Sequence, residues 1–191
     1  INIISNIMLK NKSNNLNQKE IENLSIIHKC GESLVYLVND MLDLSKVDAN
    51  NIALENKIIN IKDMINKIYI NFEKKAIEKG LDSNLFIDRK LDSMFSDETK
   101  INQIVKILLS NALKFSHKGT ISFIVKDNVD EIKILIKDEG IGIEEDKFDY
   151  IFDRFTQIDS STTRKYGGVG LGLSICKELV LLLNGKISVK S

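Results

Sequence analysis

The chain has 191 residues with 27 basic and 27 acidic side chains, so its formal net charge is zero. That length supports one good core and a smaller element, and that balance excludes a protein that gathers nucleic acid by bulk positive charge. No apolar run reaches bilayer length and no signal peptide opens the chain, while Cys30 and Cys176 are too few and too separated for a disulfide framework or a zinc site, which fits two thiols in a reducing compartment.

Residues 1–10 carry apolar side chains at helical spacing and suit the back half of a helix. A polar, Asn-rich break follows at 11–17. From Gln18 to about Val47 the positions Ile21, Leu24, His28, Gly31, Val35, Val38, Leu42 and Ser45 alternate by three and four, as in a coiled-coil seam. Leu34, Leu37, Met41 and Leu44 widen that stripe. Two helices with a short connection make a hairpin, and such hairpins pair into four-helix bundles, so this part reads as a dimerisation module.

Residues 51–55 read as a short strand. Asn60 is placed to cap a helix with Asp63 in its first turn and Gly80 past its end, burying Ile61, Met64, Ile65, Ile68, Phe72 and Ala76. Residues 81–87 read as a strand, and Ser96 is placed to cap a helix running to about Phe115. Strands follow at 120–126 and 131–137, then a short helical piece, the segment 148–155, a polar span, a helix over 171–183 and a last strand over 186–191. Helices alternating with antiparallel strands indicate an α+β sandwich with helices on one face of a mixed sheet.

Three stretches carry candidate chemistry. On the helix ending at Phe115, Gln103, Ile107, Asn111 and Lys114 fall off the apolar face. An amide oxygen can ligate Mg²⁺ and a lysine one turn on can neutralise a phosphate, although a partly buried Asn and a surface Lys fit this pair equally well. Asp138 precedes Glu139-Gly140-Ile141-Gly142, where a carboxylate can accept from the exocyclic amine of adenine and the glycines permit a tight turn. Gly168-Val169-Gly170-Leu171-Gly172 runs into a helix, and both a phosphate seat at that helix N-terminus and a plain hinge fit it. No Gly-x-x-x-x-Gly-Lys-Ser/Thr occurs, the second glycine cluster follows no strand, and the Ser/Thr/Tyr kinase motifs are absent.

The order of these segments resembles the catalytic half of a sensor histidine kinase of the hybrid type, within the GHKL ATP-binding superfamily. Leu108-Leu109-Ser110-Asn111-Ala112-Leu113-Lys114-Phe115-Ser116 is similar to the N box, and Asp138 to Ile143 to the G1 box. Ile151-Phe152-Asp153-Arg154-Phe155 is similar to the F box, Gly168 to Leu173 to the G2 box, and Thr156 to Tyr166 to the ATP lid of hybrid kinases. Gly31 to Lys46 resembles the second helix of the dimerisation domain.

The resemblance implies a two-layer α/β sandwich of the GHKL type with a mixed, mostly antiparallel sheet. It implies a helical hairpin over residues 1–48 and a catalytic ATP-binding domain over 49–191 without its last strand. ATP and Mg²⁺ are the implied cofactors: Asn111 would bind the metal, Lys114 would contact phosphate, and Asp138 would hold adenine. Gly140 and Gly142 would shape the base pocket, and Gly168, Gly170, Leu171 and Gly172 would hinge the lid and cradle phosphates. Phe152 and Phe155 would anchor the lid, with Arg164 and Lys165 as further triphosphate contacts. The implied partners are a second copy through the hairpin and a response regulator or fused receiver domain, with no nucleic acid, no membrane contact and a cytoplasmic location.

Three departures stand out. The family has a polar residue one turn before the metal-binding Asn, where this chain has Ile107; a Thr common in the G2 box is Val169; and the phosphoacceptor His motif is missing, which places that His ahead of Ile1. Neither His28 nor His117 stands in for it. A degenerate kinase serving as a nucleotide-sensing dimer scaffold, or another GHKL ATPase, are the alternative readings.

Overall fold

The computed structural model describes residues 1–11, 14–48, 53–128, 131–157 and 170–191. They divide into two compact units, one within Ile1–Asn51 and one within Ile52–Ile158 and Gly170–Ser191.

The first unit is a hairpin of α1 (Asn2–Leu9) and α2 (Gln18–Asp48). The polar break between them ends in a reciprocal cap: Asn17 Oδ1 accepts from Glu20 N at 2.9 Å and Glu20 Oε2 accepts from Asn17 N at 2.8 Å. The helices approach closely where Asn2 lies on Gly31, whose missing β-carbon leaves the space that the amide fills. One turn away, buried Ser5 donates to Asn2 O at 3.1 Å and lies 3.0 Å from His28 Nδ1. His28 is thus a half-buried seam residue. Farther along α2, Leu34, Val35, Val38 and Met41 are exposed.

The second unit contains β1 (Lys57–Asn60), α3 (Ile61–Glu78), β2 (Asp82–Ile87), β3 (Ser93–Ser96), α4 (Glu98–Phe115), β4 (Thr120–Asp127), β5 (Ile132–Lys137) and α5 (Gly172–Leu182), with a 3-10 turn at Glu145–Lys147. Strand β2 pairs parallel to β4, β4 antiparallel to β5, and β1 antiparallel to β3. Strand β4 alternates, burying Ile121, Phe123 and Val125 against the helices while its other face stays partly open. All six expected core residues of α3 are buried with them, and Asn60 Oδ1 accepts from Asp63 N at 3.1 Å as its cap. The architecture is α+β, with helices packed on one face of a mixed sheet.

Three local expectations need correction. The strand expected over 51–55 forms at Lys57–Asn60, because that register buries Ile59 and pairs it with Met94; residues 51–52 lie outside the described residues. The cap of α4 is Asp97, not Ser96: its carboxylate reaches Lys100 N at 3.1 Å and also Glu55 N at 3.0 Å, a long-range bond that a Ser96 cap would forfeit. Residues 186–191 carry no ladder; instead Ser191 Oγ accepts from Ile143 N at 2.8 Å.

Candidate functional site

Helix α4 is the spine of the site. Its N-cap Asp97 is buried; burial works to raise its carboxyl, but the backbone donors of Glu55, Lys100 and Thr99 outweigh that and hold it below its ordinary value. Ile101, Ile104, Val105, Leu109 and Ala112 bury one face of the helix. Ile107, Asn111 and Phe115 follow one another at steps of four on another line and are each half-buried.

The two glycine clusters meet this line at its two ends. At the C-terminal end, a β-carbon built on Gly140 would stand 2.8 Å from the carbonyl oxygen of Phe115, so only glycine lets the turn after β5 sit on the last turn of α4. Asp138 opens that turn, and its Oδ1 accepts from Gly140 N at 2.9 Å. Gly142 continues it at φ 72. At the other end, a β-carbon on Gly172, the first residue of α5, would stand 3.1 Å from Ile107 Cγ2. Ile107 and Phe115 are two steps of four apart, so the two clusters are set about 12 Å apart along α4 with Asn111 midway.

Lys114 lies beside that line. Its Nζ stands 4.8 Å from the centroid of the Phe115 ring, and burial pushes its ammonium below the ordinary lysine value.

The segment before α5 is closed by backbone. Phe155 N donates to Gly170 O at 3.1 Å, and a β-carbon on Gly170, which sits at φ 76, would meet the Phe155 carbonyl carbon at 2.9 Å. The ends of the intervening span are therefore held together. Phe152 is half-buried, whereas the Phe155 ring is 59% exposed at a φ of 61. The buried side chains here are Ile151 and Leu171, and Phe155 contributes its amide. Arg164, Lys165 and Gly168 lie outside the described residues.

Two connections had no sequence signal. Arg154 pairs with Glu178 of α5 at 3.7 Å, and the buried Cys176 thiol donates to Ile104 O at 3.8 Å, tying α5 to α4. Both depend on which helices pack together, which no local pattern encodes. Among the described residues no group of three or more His, Cys, Asp or Glu is placed to hold a metal. The donor chemistry at Asn111, a lone amide oxygen, fits a hard cation that arrives with phosphate oxygens and water around it, not a protein cage.

Residues 96–191 match the family described as histidine kinase-, DNA gyrase B- and HSP90-like ATPase, half of the chain. The chain belongs to that family. Among this ATPase family's members it is 37% identical over 183 residues to "Hybrid signal transduction histidine kinase L" of Dictyostelium discoideum, covering 92% of this chain and 11% of that protein. It is 35% identical to "Autoinducer 2 sensor kinase/phosphatase LuxQ" of Vibrio cholerae, covering 92% of this chain and 21% of the relative. The chain thus spans a small part of these curated relatives. The crystal structure of full-length ShkA in complex with AMPPNP superposes with a TM-score of 0.80 at 25% identity, over 96% of this chain and 38% of that one. The second unit is accordingly a histidine-kinase-type ATPase catalytic domain. No helix among the described residues is long and apolar enough to cross a membrane.

Proposed function

We propose that this chain binds Mg-ATP and donates its γ-phosphoryl group to a histidine on the dimerisation helices of a sensor histidine kinase, for relay to an aspartate of a response regulator or fused receiver domain. The observation that carries this reading is the bracketing of Asn111 on α4 between the Gly140 turn and the start of α5. A nucleotide would lie along that line, base at the Gly140 end and phosphates at the Gly172 end.

Asp138 already spends one oxygen on Gly140 N, which fixes its plane and leaves the other to accept from the adenine amine. Gly140 and Gly142 let the backbone pass beneath the base. Lys114, held half-buried beside that line, would set its ammonium against a phosphate. Gly170, Leu171 and Gly172 would bring the start of α5, with the positive end of its helix dipole, to the triphosphate. Phe152 and Phe155 bracket the near end of the lid, and Arg164, Lys165 and Gly168 enter this reading on their sequence pattern alone. Mg²⁺, when bound with the nucleotide through Asn111, would neutralise charge on the β- and γ-phosphate oxygens. In the transfer the bond from the bridging oxygen to the γ-phosphorus breaks, a nitrogen–phosphorus bond forms, ADP leaves, and the imidazole gives up a proton.

The hairpin supplies the second half of the reading. Leu34, Val35, Val38 and Met41 present an apolar stripe on α2 that a second copy would bury in a four-helix bundle. The test is labelling in trans: incubate the chain with γ-labelled ATP and a histidine-bearing dimerisation domain from a related kinase. Label that is acid-labile and base-stable on that domain is the expected result. Nucleotide binding without any such label would favour the scaffold reading, which Ile107 motivates because it offers no donor or acceptor one turn before Asn111.

A further inference from the structure

Helix α4 ends with carbonyls that have no donor four residues on. Ser116 N takes the Ala112 carbonyl at 3.1 Å, and the Phe115 carbonyl packs on Gly140. The carbonyls of Leu113 and Lys114 are taken by one side chain from another element: Lys79 Nζ donates to Leu113 O and, at 3.4 Å, to Lys114 O. Lys79 is itself the C-cap of α3, its N–H bonded to the Ala76 and Lys75 carbonyls, so its stem starts from a fixed point.

We infer that Lys79 is a positioning residue for the nucleotide site, holding the last turn of α4 in the place from which Lys114 and the Phe115–Gly140 contact meet the ligand. This rests on the nucleotide-binding reading above and adds a residue that reading does not include. An ammonium at a helix C-terminus satisfies orphan carbonyls and the negative end of the dipole together. Without it, water can hydrate both carbonyls, so α4 would persist, but its last turn would be free to fray. That turn carries Lys114 and supports the Gly140 turn, so fraying would act on ligand affinity more than on global stability. In sequence, Lys79 reads only as a basic residue ending its own helix.

The experiment compares Lys79→Met, Lys79→Arg and Lys75→Met by calorimetric titration with Mg-ATP and by thermal melting. Lys75 is exposed one turn earlier on α3, so its variant removes the same charge without the contact. Lys79→Met is expected to bind about threefold to tenfold more weakly. Lys79→Arg is expected to restore affinity to within about twofold, because a guanidinium can serve both carbonyls. Lys75→Met should match the parent. Equal affinity for Lys79→Met and the parent would overturn the inference alone. So would a loss that disappears in the cold, where the variant is fully folded, because it would report stability only. A parent that binds no nucleotide would overturn the functional reading, and this inference with it.

Discussion

Gly172 opens α5 directly against Ile107 of α4, at 3.1 Å between an idealised β-carbon and Cγ2. The contact joins the glycine-rich turn to α4 at the position one turn before Asn111. Ile107 packs there with a side chain that offers no hydrogen-bonding group.

Ile107→Asn is expected to lower stability by about 1 kcal/mol or more, since it trades apolar packing for a half-buried amide. It is also expected to widen the difference between affinity for Mg-ATP and for metal-free ATP. Melting curves and paired titrations with and without Mg²⁺ check both. An unchanged metal dependence would remove Ile107 from the account of the site.

Gly140→Ala is expected to cost about 1–3 kcal/mol, because the new methyl group would press on the Phe115 carbonyl, which belongs to a packed helix end. The accompanying loss of nucleotide affinity should be at least about tenfold if the base-side turn is displaced. Denaturant unfolding and titration read the two effects separately.

Asp138→Asn should leave melting nearly unchanged, as an amide oxygen can still accept from Gly140 N, while weakening ATP by about one to two decades. Equal affinity in calorimetry would end the adenine role for Asp138.

The Lys114 ammonium is held below its ordinary 10.5 by burial. A lowered cation binds its proton less well in the folded than in the unfolded chain. Folding stability is then expected to rise with pH across the interval from the lowered value to 10.5 and to be least below it. A bound polyphosphate favours the charged form, so ATP affinity should fall as pH climbs through that lowered value. Lys114→Met should abolish both trends in a pH series of unfolding and binding. For Asp97 the slope has the same sign at the acid end: its carboxyl is depressed, so its contribution is complete above 3.8 and is lost as pH falls from there towards the folded-state value.

Much of this was legible locally. Asn60 and Asp63, and the spacing of Ile61, Met64, Ile65, Ile68, Phe72 and Ala76, encode a capped amphipathic helix with no help from the rest of the chain. What escaped was set by distant partners. Ser96 and Asp97 are adjacent capping residues, and the choice between them is made by Glu55 N, far back in the sequence. Strands β1 and β3 are four residues each, with Ile58 and Phe95 exposed opposite one another, so neither shows an alternation long enough to read. At the site, Asp138, Asn111 and the glycines announce themselves by type. The Phe115 carbonyl and the Phe155 amide are backbone groups, and no side-chain pattern could have marked them.

The central claim is that one nucleotide binds along α4 between Gly140 and Gly172. Calorimetric titration of the unaltered chain with AMPPNP and Mg²⁺, repeated with the guanine analogue, tests it most directly. The account expects saturable binding of one adenine nucleotide per chain and much weaker binding of the guanine nucleotide, whose acceptor would face Asp138. No saturable binding, or equal binding of both bases, would contradict it.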